Sequence, residues 1–385
     1  MRLSVVSAAI AAALVGIAGA LAIVLSAAAA VGATQAETTS WVTALCLSMA
    51  LTSGFLSWRH RMPIITAWST PGAAVIAATA GAVKLDAAVG AFLVTGALIV
   101  ATGAIGPIDR LIRRIPVAVA AGMLAGVLVR FVLQMVEAVP QAPLLVLPLL
   151  AIFLVLRLLI PSAAMLVVIA AGVALAAAQG LITSWPRIEL STLTLIAPRF
   201  DGATIIGLAI PLYLVTMASQ NLPGAAVLKA SGYEPPFSSA LLVTGLASLA
   251  IAPFGAHSIN LAAITAAICT GPDAHPDPAK RWHTGIAYLV VYGLLAALGA
   301  SLVALFAAFP AVLIKAIAGL GLLGSLTAAL AAAVADERQR FAGILAFAVT
   351  TSGIALFGIG SAFWGLVAGL VVAALDAAMT RTQRA

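Results

Sequence analysis

Two short stretches hold the residues best suited to chemistry. One runs Thr66-Ala67-Trp68-Ser69-Thr70-Pro71-Gly72, the other Pro253-Phe254-Gly255-Ala256-His257-Ser258-Ile259-Asn260. Each interrupts an apolar run with hydroxyls, small residues and proline. Ser or Thr at an N-cap, with Pro in the first turn, marks a helix start. The pattern therefore predicts a half-helix beginning near Thr70, preceded by an extended segment between Pro63 and Pro71. It predicts a second from the opposite side, with Pro253–His257 extended and the helix opening at Ser258. A helix start leaves free N–H groups and about half a positive charge. Two such ends facing one another make an anion site without lysine or arginine. Ser69, Thr70, Ser258 and the N–H groups around Gly72 are its donors. The plainer readings are N-capping for the hydroxyls and a proline kink for each stretch.

A third group, Ser219-Gln220-Asn221, precedes Pro223-Gly224. Adjacent carboxamides in an apolar helix need partners, either a substrate or a neighbouring helix. Gln220 is favoured over Asn221 as a substrate contact. Trp68 suits the wall of an aromatic-ring site, or packing between helices. His257 is the histidine placed within an apolar region, since His60 sits in an Arg-His-Arg turn and His275 and His283 flank a loop. An imidazole beside an anion site titrates near neutral pH and can couple protons to transport; a neutral, hydrogen-bonded imidazole is the alternative. Asn260, one turn into the second half-helix, would orient His257 or face the substrate.

Other chemistry finds little support. Asp273, His275, Asp277 and His283 have ligand-type side chains, but Pro272, Pro276 and Pro278 mark a rigid turn without a metal-ligand repeat. No metal and no cofactor is expected. The acids fall at segment ends or in loops, with Asp376 about one turn inside the last segment. No carboxylate relay crosses the apolar regions, so a coupled proton would use His257 or the substrate itself. There is no paired nucleophile and base and no Walker-type loop, which speaks against an enzyme or an ATP-driven pump.

These residues sit in a chain of 385, of which 63% are hydrophobic and 8% charged, with mean hydropathy +1.19. Soluble proteins carry about 45–50% apolar and about 25% charged residues. A water-soluble enzyme, a disordered chain and a nucleic-acid binder are all excluded. The net charge of +7 comes from scattered basic residues that form no binding face. Cys46 and Cys269 lie in apolar runs and read as buried thiols. The composition is that of an all-α polytopic membrane protein.

About 20 apolar residues cross a bilayer. Breaks at charges, Pro and Gly predict spans at 6–32, 40–58, 63–82, 87–106, 116–136, 143–160 and 162–183. A second series falls at 203–228, 238–252, 253–272, 284–307, 310–333, 341–358 and 361–380. The first is too long for the apolar part of a cleaved leader. With the N-terminus inside, only Lys84, Arg130, Arg187, Arg199 and Lys315 of the 19 basic residues fall on the outer side. The positive-inside bias then puts both termini in the cytoplasm. The long polar stretch Thr183–Asp201 divides the chain, and similar features recur about 190 residues apart. Residues 1–184 and 185–385 are read as two repeats of seven spans; seven is odd, so they are inverted, with half-helices in spans 3 and 10.

Several stretches resemble a known family. They are Thr66–Ala74, Ala121–Gly126 with Arg130-Phe131, Val215–Asn221 with Pro223-Gly224, and Pro253–Gly255 with Asn260. Further on come Ala262–Cys269, Ala274–Asp277, Arg281-Trp282 and Gly360–Gly365. Together they resemble the benzoate membrane transporter family, proton-linked importers of benzoate in the bacterial inner membrane. The resemblance implies alternating access between a core and a gate bundle, each built from both halves, and a fold shared with nucleobase/ascorbate and sulfate-type anion transporters. It implies an aromatic carboxylate and protons as partners, a lipid surround, and a homodimer as one admissible assembly. Ile17-Ala18-Gly19-Ala20 departs from the adjacent serines common in that family's first span. A different substrate, a nucleobase or inorganic anion, is the competing function, with an intramembrane enzyme a distant third.

Overall fold

The computed structural model describes residues 2–79, 81–105, 116–182, 188–357 and 359–382. Arg110, Arg113, Arg114, Arg187 and Arg384, counted among the 19 basic residues of the charge argument, lie outside them, as do Asp109 and the predicted boundary at 184–185. Within them the fold is helical apart from one pair of three-residue strands.

The first half comprises α1 (Leu3–Ala30), α2 (Gln35–His60), β1 (Thr66–Trp68), α3 (Thr70–Ala77), α4 (Leu85–Ala104), α5 (Val117–Glu137), α6 (Pro143–Leu159) and α7 (Pro161–Ala178). The second comprises α8 (Gly202–Lys229), α9 (Phe237–Ile251), β2 (Ile259–Leu261), α10 (Ile264–Thr270), α11 (His283–Ala297), α12 (Gly299–Ala307), α13 (Ala311–Val334), α14 (Arg340–Ser352) and α15 (Ser361–Thr382). Among the described residues, seven helices are long and apolar enough to cross a membrane: α2, α4, α5, α8, α13, α15 and α9 extended to Phe254. Two more spans are bent, α1 by 41° and the α11–α12 pair by 59°.

Local chemistry sets the helix ends. Thr34 and Glu37 form a capping box that opens α2, and Arg61 closes it in the left-handed region with φ 54°. Pro148 inside α6 cannot donate to Leu144, whose carbonyl instead accepts from Gln179 at 3.4 Å. Asp201 caps α8; the Thr204 hydroxyl and N–H hold its carboxyl below the usual range.

Two groups of helices emerge from the packing. In one, α2 lies along α11, α4 along α9, and α1 packs on α3, α10 and α11. In the other, α5 is flanked by α13 and α14, with α15 against α14 and α6 and α7 alongside α13. Small residues permit the closest approaches: Gly122 meets the Gly343 backbone, and Gly365 and Gly126 both meet Thr350. Gly319 packs on Met135 and Gly369 on Val119 in the same way.

The stretch 188–201 has no regular structure, yet the first helix group holds it along its length. Ser191 N–H donates to Ala297, Thr194 N–H to the Ser40 hydroxyl, Ile196 N–H to Pro253 and Arg199 N–H to Asp86, over 2.7–3.0 Å. An exposed Arg199–Asp86 ion pair at 2.9 Å adds to the last contact.

The structure corrects several boundaries. The second half-helix does not begin at Ser258. Pro253 belongs to a 3-10 turn, Ala252–Phe254, that finishes α9, and Gly255 turns the chain at φ 86°. The extended segment is β2, so Asn260 lies in a strand and the helix starts at Ile264. Proline signals a turn in either sense, and here it ended an element. The span predicted at 284–307 is the bent α11–α12 pair. Arg130 faces Gly353 at the end of α14.

Candidate functional site

β1 and β2 pair antiparallel, Thr66 opposite Leu261, Ala67 opposite Asn260 and Trp68 opposite Ile259. Two three-residue strands leave backbone groups exposed on their outer edges, and at this depth each needs a partner. Polar side chains provide them. On the β1 side, Ser53 Oγ accepts from Thr66 N–H at 2.9 Å, and the Ser57 hydroxyl exchanges hydrogen bonds with the Ile64 backbone. Thr52 and Ser53 also lie 2.6 and 2.8 Å from the Thr66 hydroxyl. On the β2 side, Ser248 Oγ accepts from Ile259 N–H and Asn221 Oδ1 from Leu261 N–H, both at 2.9 Å.

Where the strands end, Ser69 becomes a hub. Its Oγ accepts from Gly72 N–H at 3.0 Å, capping α3, and from the Thr216 hydroxyl at 3.1 Å. Thr216 Oγ1 is also 3.0 Å from Ser258 Oγ, and Ser69 N–H donates to the Ser258 carbonyl at 3.2 Å. His257 is fully buried beside Trp41 and Phe92. Its Nδ1 lies 3.0 Å from Trp41 Nε1 and its Nε2 3.1 Å from the Ser69 carbonyl oxygen. An indole N–H only donates, so Nδ1 accepts and Nε2 carries the hydrogen. The network assigns a neutral imidazole.

A cavity of about 460 Å³ opens between the two helix groups. Its first wall comprises Gly16 and Ala20 of α1, Trp68, Thr70 and Pro71 at the β1–α3 junction, and Ser219, Gln220 and Pro223 of α8. Ala262–Thr265 from the β2–α10 junction and Tyr288 and Tyr292 of α11 complete it. The opposite wall comes from α5, α7 and α13 and is apolar except for Ser325. No Asp, Glu, Lys, Arg or His lines this cavity among the described residues.

Of the predicted site residues, Trp68, Thr70 and Gln220 line the cavity; Ser69, Gly72, Asn221, His257, Ser258 and Asn260 lie behind it. Gly72 sits where α3 meets Leu212 and the Ser69 side chain, and Asn260 Nδ2 donates to the Leu261 carbonyl. Gln220 belongs to a π-helical turn, Met217–Asn221, closed by Leu222 N–H on Met217; such turns recur at functional sites. The sequence reading missed Thr265, Tyr288, Tyr292 and Ser325. A signal existed for the tyrosines: two of the chain's four stand one turn apart in an apolar helix.

Among the described residues no group of three metal-ligating side chains converges. The Asp273–His283 loop is held instead by Arg281, which donates to the Thr270 and His275 carbonyls at 2.8 and 2.7 Å. Hydrogen bonding from Ala279 N–H, and the charge of Lys280, hold the Asp277 carboxyl below its usual range.

The sequence matches the family model for the benzoate membrane transport protein over residues 1–375. It is 42% identical over 357 residues to the inner membrane protein YdcO of Escherichia coli, covering 92% of this chain and 91% of that one. It is 37% identical over 333 residues to a benzoate membrane transport protein of Acinetobacter baylyi, covering 86% and 84%. In fold it is similar to the transmembrane domain of a cyanobacterium bicarbonate transporter, BicA, with TM-score 0.60, 14% identity and 97% and 98% of the two chains covered. The murine Solute Carrier 26 family member A9 anion transporter, in the inward-facing state, gives TM-score 0.64 and 10% identity, with 99% of this chain and 69% of that one covered. With its membrane-spanning helices and a family match that takes in every element around the cavity, the chain belongs to the benzoate membrane transport family.

Proposed function

We propose that this protein is a secondary active transporter that imports benzoate or a similar aromatic carboxylate together with protons. The observation that carries the reading is the cavity itself: aromatic and small residues, neutral hydrogen-bond donors and no fixed charge, placed between two separately packed helix groups. Trp68 walls the ring, while Thr70 and Gln220 offer polar contacts. Ser69, Gly72, Asn221, Ser258 and Asn260 act one layer back by holding the strand pair and the start of α3.

The coupling proton has two candidate carriers, His257 and the substrate's carboxyl group. Both imidazole nitrogens are engaged, which favours the substrate. Alternating access moves the α1–α4 and α8–α12 core against the α5–α7 and α13–α15 gate. We further read the chain as fourteen spans in two inverted halves, 1–184 and 185–385, with both termini cytoplasmic, in a bacterial inner membrane and open to homodimer formation.

Uptake of radiolabelled benzoate into proteoliposomes under an imposed pH gradient, with uracil and sulfate as competitors, tests this. Accumulation that follows the gradient and resists both competitors is the expected result. Uracil-sensitive transport without benzoate uptake would overturn it.

A further inference from the structure

Nine buried side-chain polar atoms among the described residues lack a hydrogen-bond partner, and three of them belong to cavity-lining residues: Thr265 Oγ1, Tyr288 Oη and Tyr292 Oη. Of the others, Asn260 Oδ1 lies in β2 behind the cavity, and the remaining five belong to threonines and a serine that do not line it. The three hydroxyls are neighbours: Tyr288 stands within hydrogen-bonding reach of both Tyr292 and Thr265, but none of these contacts has the geometry of a formed bond. The tyrosine rings lie 4.5 Å apart between centroids, and Tyr292 meets Trp68 edge-on at 6.5 Å.

A buried donor left unpaired is rare in a folded protein and points to a partner that binds there. Here that partner must accept several O–H bonds at once. A carboxylate offers two oxygens with about four acceptor positions, and O–H bonds to an ionised acceptor are the stronger kind. The opposite wall contributes one hydroxyl, and no cation lines the cavity among the described residues, so a carboxylate there is held by neutral donors alone. Gly16 keeps the space open: a Cβ there would stand 3.0 Å from the Tyr292 hydroxyl. α1 thus brings no hydroxyl to the site, and α10 and α11 supply the donors.

We propose that Thr265, Tyr288 and Tyr292 form the seat of the substrate's carboxylate, with the ring extending along the wall at Trp68. This rests on the aromatic-carboxylate reading above and names the residues that would distinguish an anion from its neutral isostere.

The test compares Tyr288→Phe, Tyr292→Phe and Thr265→Val with the unmodified protein in proteoliposomes, using labelled benzoate with unlabelled benzamide as competitor. Each change should raise half-saturating benzoate roughly ten- to a hundredfold, while benzamide inhibition shifts less than twofold. Discrimination between the two ligands therefore collapses. The ligand-free melting temperature should change little, because the removed hydroxyl makes no well-shaped bond in the empty site. Unchanged benzoate half-saturation in all three variants overturns the seat and leaves the transport reading intact. A lowered melting temperature with equal losses for benzoate and benzamide also overturns it, since that is what structural or water-bridging hydroxyls give. Failure of the unmodified protein to carry benzoate at all would sink the underlying reading instead.

Discussion

Trp41 donates its indole hydrogen to His257, and that bond decides how the imidazole behaves. Accepting a proton at Nδ1 would force the indole N–H away from its only partner, in a pocket walled by Phe92. His257→Gln in proteoliposomes should therefore keep pH-driven benzoate accumulation within a fewfold of normal; abolished accumulation with binding intact would return the proton to the histidine. Trp41→Phe leaves Nδ1 buried without a donor, which should lower stability by roughly 1–3 kcal/mol, read as thermal unfolding in detergent. At this scale the sequence was a partial guide. The types of Trp68, Thr70 and Gln220 marked three residues that line the cavity, because polar or aromatic groups beside a helix-breaking motif stand out from an apolar run. Ser69, Ser258 and Asn221 stood out equally, yet backbone N–H groups claim Ser69 and Asn221, and the Thr216 hydroxyl pairs with Ser258. Spacing alone does not tell a capping hydroxyl from one that faces a ligand.

The strand pair depends on side chains lent by helices. Asn221 supplies one of the two acceptors on the outer edge of β2, so Asn221→Leu orphans the Leu261 N–H. The substitution should cost roughly 1–3 kcal/mol and reduce uptake through a displaced β2–α10 junction, measurable as lower transport at unchanged protein level. Helix contacts are as exacting: a methyl at Gly122 would enter the Gly343 backbone between α5 and α14. Gly122→Ala should destabilise by about 1–3 kcal/mol, seen again in melting temperature. Most helices were legible from apolar runs broken by charge and proline. The start of α10 was not, because β2 is three residues long, and Ser258 just before it and Asn260 within it resemble cap residues. Its true signal was the matching length of extended chain needed opposite Thr66–Trp68, which only pairing reveals.

Across the whole molecule, the two helix groups enclose the cavity between unlike walls, one with all but one of its polar groups and the other nearly bare. Among the described residues, hydrogen bonds tie the stretch 188–201 to the first group and α12, through Ser40, Asp86, Pro253, Ala297 and Ser301. With both termini cytoplasmic, as proposed, a green fluorescent protein fused at the C-terminus should fluoresce, and alkaline phosphatase fused there should be inactive. The uncharged lining has an electrical consequence. A membrane potential acts on moving charge at about 2.3 kcal/mol per elementary charge per 100 mV. With no Asp, Glu, Lys, Arg or His in its lining among the described residues, the empty site contributes no charge of its own, so the return half-cycle is insensitive to voltage there. A benzoate anion entering with one proton crosses as a neutral pair, and only an additional proton would make uptake generate current.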